Sequence, residues 1–246
     1  MHLKERYSIF YPIFLIMLGV ITTVYFVNNP GGSMAARLLN YDEILRALRQ
    51  HILLVIFAMI SAILFSVPMG IIITRPKFKS IVPIIDNITN IAQTVPSLAV
   101  LALIYSFFGL GFKTALFALW LYSLLPILRN TSAGIQSIPD EIIEAAKGMG
   151  MSQKHIIMRI ELPLALPVIM AGIRVSVVVC AGAAALATFI GAGGLGDLIV
   201  TGLALSRNTI ILTGGILTAL FGILMDSIFA IMENHLLGRN QLKKVN

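Results

Sequence analysis

Charge is scarce in this sequence. Lys, Arg, Asp and Glu together make up 12% of its 246 residues, about half the share usual in a globular chain. A soluble domain of this length needs far more polar surface, so the composition argues against a soluble enzyme or binding module. Cysteine is nearly absent. Cys180 is alone and lies in an apolar run, which excludes a disulfide framework and a cysteine-rich metal site. It reads as a small buried hydrophobe. No GxxxxGK(S/T) loop occurs, so the chain has no phosphate cradle of that kind for ATP. HExxH, GxSxG and paired-cysteine motifs are missing too, and His51 and His155 stand apart and read as interfacial. The expectation is a protein that is not an enzyme, with no catalytic residue, no metal and no cofactor of its own.

What is present is apolar sequence. Hydrophobic residues make up 58% of the chain, and the mean hydropathy is +0.93. A helix needs about 20 apolar residues to cross the hydrocarbon core. Tyr7–Val27, His51–Thr74, Pro163–Ile190 and Thr209–Met232 meet that requirement. Ile81–Phe108 is longer than needed and holds Pro83 and Pro96, so a kinked or broken helix is expected there. Thr114–Leu128 is short, and Gly109–Phe112 extends it if Lys113 snorkels outward. The sequence therefore predicts an all-α integral membrane protein of about six transmembrane helices. Tyr7–Val27 is expected to stay uncleaved, because it exceeds the apolar core of a signal peptide and no small-residue cleavage site closes it.

Orientation follows from the basic residues. With the N-terminus inside, the cytoplasmic pieces hold twelve Lys and Arg and the outside pieces hold five; the remaining one, Arg174, lies in a span. That bias favours N-in, C-in. The turn holding Arg75, Lys77 and Lys79 is the firmest anchor. Arg37, Arg46 and Arg49, around a short amphipathic helix expected over Tyr41–Gln50, are the residues that resist this topology.

Arg129–Leu162 is the longest polar segment, and this topology puts it in the cytosol. Ser137-Ile138-Pro139-Asp140 fits a capping-box start. Asp140, Glu141 and Glu144 suit the positive end of a helix dipole, and Ile142, Ile143, Ala146 and Met149 form one apolar stripe. Gly148 or Gly150 supplies a turn. Ser152 then caps a second helix, roughly Gln153–Glu161, that ends before Leu162-Pro163. Two short helices joined at glycine make an exposed knob. The same periodicity also fits an amphipathic loop lying on lipid headgroups.

The spacing within that segment is specific: Glu144-Ala145-Ala146, three residues, Gly150, nine residues, Ile160, one residue, Leu162-Pro163. It resembles the EAA motif of ATP-binding-cassette importer permeases. The resemblance implies a type I importer fold of the methionine-permease kind. It also implies that Glu144, Ala145, Ala146, Gly150 and the adjoining Met151 couple to a cytoplasmic ATPase, with Ile160, Leu162 and Pro163 as structural positions. Further stretches resemble permeases for quaternary ammonium osmoprotectants: Gln93–Leu98 (QTVPSL), Tyr122–Asn130 (YSLLPILRN) and Gly191–Gly196 (GAGGLG). Methionine permeases share parts of the last stretch and the EAA motif, so methionine or another amino acid stays open as cargo. The resemblance covers about 41–240, leaving 1–40 as an added helix and outer loop and 241–246 as a tail.

Two groups of polar residues sit within spans. Gln93, Thr94, Pro96 and Ser97 interrupt an apolar run; a proline break frees carbonyls that line a water-filled path or are satisfied by neighbouring helices. Asp86, Arg174 and Asp226 are intramembrane charges, which carry a functional expectation by default. Arg174 is expected to pair with Asp226 or Asp86, or to snorkel to the headgroups. Gly191–Gly196 lacks the preceding strand that a phosphate loop needs, and reads as a tight extracytoplasmic turn with close helix approach. Asp197 and Arg207 beside it read as surface residues.

The implied assembly has an ATPase dimer that binds ATP and Mg, a second permease subunit (identical or similar), and an extracytoplasmic substrate-binding protein. The implied location is a bacterial plasma or inner membrane. A channel or secondary transporter is the rival, for which more midplane ionisable residues or an inverted repeat are expected; no clear repeat is visible.

Overall fold

A computed structural model describes the backbone of residues 2–242, and the side chains of that range outside 2–9, 79, 93 and 237–242. Every regular element among the described residues is helical. In chain order they are α1 (His2–Asn28), α2 (Ser33–Leu38), α3 (Tyr41–Ile73), α4 (Val82–Thr94), α5 (Ser97–Phe108), α6 (Phe112–Gln136), α7 (Asp140–Gly148), α8 (Gln153–Ile156), α9 (Leu162–Ala184), α10 (Gly196–Ala204) and α11 (Asn208–Leu242). A π turn, Ile157–Glu161, joins α8 to α9, and a 3-10 turn, Ala185–Ile190, follows α9.

Five of these helical runs are long and apolar enough to span a bilayer, and α4 with α5 makes six if a broken pair counts as one span. The expected break at Pro96 is present. Pro96 is the N-cap of α5 with φ −56° and ψ 133°. At 13 and 12 residues, each half is about 18–20 Å long and falls short of a ~30 Å hydrocarbon core. The short helix expected over Tyr41–Gln50 is instead the first part of α3, which runs unbroken for 33 residues. Nothing between Asn40 and Ile73 breaks it except Pro68, which bends a helix without ending it when neighbours satisfy the freed carbonyl. The expected tail contributes residues 241 and 242 to the end of α11; 243–246 lie outside the described residues.

The chain divides into two compact units. Unit 1 is Met1–Ser61, Val95–Ser123 and Val177–Ile228; unit 2 is Ala62–Thr94, Leu124–Ser176 and Phe229–Asn246. The core of unit 1 holds Leu54 and Val55 of α3, Leu101, Leu119, Cys180, Leu195 and Ile210, none more than 2% exposed. Added helix α1 belongs to this unit, where an apolar cavity of about 400 Å³ is bordered by Gly19 and Thr23 of α1, Ile44 of α3 and Phe221 of α11.

Unit 2 is built on close helix crossings at small residues. A Cβ added at Gly70 of α3 would stand 2.6 Å from the Thr131 side chain of α6, and one at Gly172 of α9 would stand 2.5 Å from Asn130 Cβ. Small residues at such positions let backbones approach where lipid offers no hydrophobic drive to associate. Ser66 Oγ adds a hydrogen bond across α3 and α6, donating to the Leu124 carbonyl at 3.1 Å. Elsewhere the long helices present large apolar side chains outward, among them Phe14, Leu64, Leu103 and Phe107. Water would not tolerate that many; acyl chains do.

Candidate functional site

The 129–162 segment lies wholly within unit 2. Its first helix, α7, starts at Asp140 with Pro139 as N-cap, and no side chain caps it. The expected capping box is absent. Ser137 still belongs to the closing turn of α6: its N–H donates to the Ala133 carbonyl at 2.9 Å and its hydroxyl to the Gly134 carbonyl at 2.8 Å. The cap therefore falls two residues later, on a proline, which has no side-chain acceptor. Charge supplies what the cap does not, with Asp140 and Glu141 in the first turn and Lys147 in the last, as the dipole favours.

The end of α7 explains the spacing of the motif. Gly150 has φ +75°, and two hydrogen bonds close the helix around it. Gly150 N–H donates to the Lys147 carbonyl at 2.9 Å, and Met151 N–H donates to the Ala146 carbonyl at 3.1 Å. That is a Schellman closure with glycine in the left-handed position. Gly148 stays inside the helix, so of the two candidate glycines Gly150 makes the turn. The motif thus encodes a nine-residue helix, its reversal and the restart behind it.

Burial sorts the expected coupling residues. Glu144, Ala145 and Gly150 are exposed, and Met149 is 73% exposed. Ala146 is not a surface residue: it is 1% exposed, and it seats α7 on the rest of the unit beside half-buried Met151. The predicted apolar stripe is correspondingly split. Ala146 and Ile143 turn inward, while Ile142 and Met149 face out.

Ser152 occupies the N-cap of α8 as expected, but its hydroxyl pairs with His155 Nδ1 at 2.9 Å and leaves the backbone to itself. The second helix does not stop before Leu162-Pro163. It widens into the π turn and continues as α9, one helical run over Gln153–Ile190. Pro163 has no N–H to offer the preceding turn, and a widened turn at that point absorbs the mismatch. At the end of this turn sits Glu161, a residue the sequence reading passed over. It is 5% exposed, and Arg75 grips both its oxygens, Nη1 to Oε1 at 2.9 Å and Nη2 to Oε2 at 2.5 Å.

The intramembrane charges Asp86 and Arg174 each meet a charged group on another helix. Asp86 lies 3.9 Å from Arg129, which also donates to Asn90 Oδ1 at 2.8 Å. Arg174 donates to Glu233 Oε2 at 3.2 Å, a carboxylate absent from the two partners foreseen for it. Asp226 and Glu233 are seven residues apart on α11 and share a face; the sequence-read span stopped at Met232 and so missed the second. Of the path candidates, Thr94 and Pro96 are exposed and Ser97 is half-buried; the Gln93 side chain lies outside the described residues. The Thr94 hydroxyl is satisfied by its own helix, donating to Ile91 O at 2.7 Å. The Pro96 carbonyl is taken up by Ala99 and Val100.

In unit 1 the glycine-rich stretch turns as expected, with Gly191, Gly193 and Gly194 all at positive φ. Gly194 N–H donates to Gln50 Oε1 at 3.2 Å. His51 is not interfacial. It is fully buried, with Nε2 3.1 Å from the Ala181 carbonyl and its ring edge-on to Phe221 at 5.1 Å. Asp197 is half-buried and accepts a hydrogen bond from Thr188 Oγ1, while Arg207 is exposed.

A multi-span helical protein that displays a capped helix and turn between two spans has the build of a transporter membrane subunit. The chain belongs to the family of binding-protein-dependent transport system inner membrane components, whose model matches residues 66–238. It is 42% identical over 198 residues to the glycine betaine/carnitine/choline transport system permease protein OpuCD of Bacillus subtilis (strain 168), covering 80% of this chain and 86% of that one. It is 43% identical over 209 residues to the choline transport system permease protein OpuBB of the same organism, covering 84% and 95%. Among solved structures, the MetNI methionine ABC transporter in inward-facing conformations matches with a TM-score of 0.69 and 21% identity, over 78% of this chain and 95% of that chain. That last likeness establishes the fold, a type I importer permease. Family membership makes this a multi-pass membrane permease component whose work depends on a binding protein and an ATPase.

Proposed function

We propose that this chain is the permease subunit of an ATP-driven importer for quaternary ammonium osmoprotectants of the glycine betaine, carnitine and choline class. The observation that carries the coupling is the exposed Glu144–Gly150 turn of α7, closed by Gly150 and seated on buried Ala146. The cargo rests on the relatives named for those solutes. In this reading residues 41–240 form the transmembrane domain, and the 129–162 segment faces the cytosol in an N-in, C-in topology. Glu144 meets basic groups of an ATPase subunit, a charge-assisted contact, while Ala145 and Gly150 allow close approach. A pair of such ATPases binds ATP and Mg; this chain supplies no group to that chemistry. Two permease subunits enclose the pathway, and closure of the ATPase pair rocks it between inward- and outward-facing forms. A binding protein outside selects the solute. Thr94, Pro96 and Ser97, at the break between α4 and α5, are the positions we assign to the path, together with Gln93.

The test is Glu144→Arg in a complex reconstituted with its ATPase and binding protein. Uptake and solute-stimulated ATP hydrolysis should both fall by about tenfold or more, the scale of a lost charge-assisted contact turned repulsive. Uptake at the wild-type level would remove the docking role. The cargo is tested separately by thermal shift of the binding protein with glycine betaine, carnitine, choline and methionine; stabilisation by methionine alone would overturn the assignment.

A further inference from the structure

Three arginines of unit 2 each reach a carboxylate on another helix, and the three contacts differ in strength. Arg129 and Asp86 are 3.9 Å apart with side chains 41% and 42% exposed, the longest and most open of the three. Arg174 Nη1 donates to Glu233 Oε2 at 3.2 Å, with side chains 35% and 19% exposed. Arg75 and Glu161 are joined by two parallel bonds, with side chains 22% and 6% exposed. The same guanidinium donates from Nε to the Ile71 carbonyl at 2.9 Å, which sets positive charge on the last turn of α3. A planar fork fixed at three points cannot slide as a flexible ammonium would.

Position along the chain gives this pair its meaning. Glu161 closes the π turn through which α7 and α8 connect to α9. Displacement of the coupling segment toward α9 passes that turn. The turn is weakened by its own backbone, because its bonding is widened and Pro163, two residues on, donates none. A widened turn absorbs displacement unless something outside the helix holds it. Arg75, just beyond the end of α3 at Ile73, holds it.

We propose that Arg75 and Glu161 form the joint that delivers movement of the α7–α8 segment to α3 as well as to α9. Both are positioning residues, and the inference rests on the ATP-driven reading above. Without the pair, the π turn takes up the stroke and ATP is hydrolysed with little transport.

The experiment compares wild type, Glu161→Gln, Arg75→Glu and the exchange Arg75→Glu/Glu161→Arg in the full complex with ATPase and binding protein. Radiolabelled glycine betaine, carnitine and choline are supplied in parallel, and uptake per ATP hydrolysed is read. Each single variant should lose about tenfold in that ratio, and the exchange should regain at least about a third of it, because the paired charges re-form with reversed polarity. A Glu161→Gln ratio within twofold of wild type overturns the joint, as does an exchange no better than the single variants. If Glu161→Gln fails to assemble, the exchange decides: regained assembly and uptake supports the joint, and anything less overturns it. A wild-type complex without ATP-dependent uptake rejects the importer reading and the joint with it. Normal wild-type uptake beside an unaffected Glu161→Gln rejects the joint alone.

Discussion

Gly196→Ala is expected to remove the folded protein from the membrane fraction. Gly196 opens α10, where its backbone lies against the 3-10 turn that follows α9. A Cβ at this position would stand 1.8 Å from the Ala185 carbonyl oxygen, 2.7 Å from its carbon and 3.0 Å from its Cα. All three are backbone atoms, so no rotamer change relieves the clash. The two elements would have to part by roughly 1.5 Å to reach ordinary contact, and Leu195 and Ala187, both fully buried alongside, would lose their packing. Overpacking usually costs about 1–3 kcal/mol when side chains can give way; here the opposing group is fixed and the cost is higher. Gly182→Ala is the control. It sits in α9 with open space where its Cβ would go, and alanine there should be neutral or stabilising by up to about 1 kcal/mol. The measurement is membrane-fraction yield and monodispersity after detergent extraction. A monodisperse Gly196→Ala protein with the wild-type melting temperature would refute the close approach.

Arg75→Ala should lower stability by about 3–5 kcal/mol, the cost of leaving one member of a buried ion pair without its partner. The Glu161 carboxylate is 5% exposed, so water cannot replace the two lost donors. Arg75 is itself partly open to solvent, which places the expectation nearer the lower value. The double variant Arg75→Met/Glu161→Leu should recover most of the loss, because apolar side chains of similar volume need no partner. Thermal melting of the detergent-solubilised protein separates the cases. Equal melting of Arg75→Ala and wild type would show that Glu161 is not held as described.

Much of the fold was legible because lipid imposes simple rules. Six apolar runs, the third of them broken at proline, follow from the need to bond every backbone group in hydrocarbon. The helix–glycine–helix of the 140–161 segment was legible because Gly150 is one of few residues that adopt positive φ without strain. The failures also have physical causes. Ser137 looked like a cap because cap signals are local, yet α6 runs on past Leu128 to Gln136 and its closing turn claims it. Leu162-Pro163 looked like a terminus because a proline usually ends a helix, yet a π turn carries the helix through. His51 looked interfacial because it stands where a polar stretch meets an apolar run; the Ala181 carbonyl beside its ring is 130 residues away.

By itself, the sequence determined that this chain spans a membrane, that no GxxxxGK(S/T) loop occurs in it, and that Glu144–Pro163 has the spacing of the EAA motif. Those properties depend on composition and on spacing along one helix, which short-range physics fixes. Tertiary structure alone decided which motif residues face outward, that Ala146 is buried beneath α7, and that Glu161 belongs to Arg75. Those depend on which surfaces meet, and a carboxylate 86 residues from its arginine leaves no periodic trace in either segment.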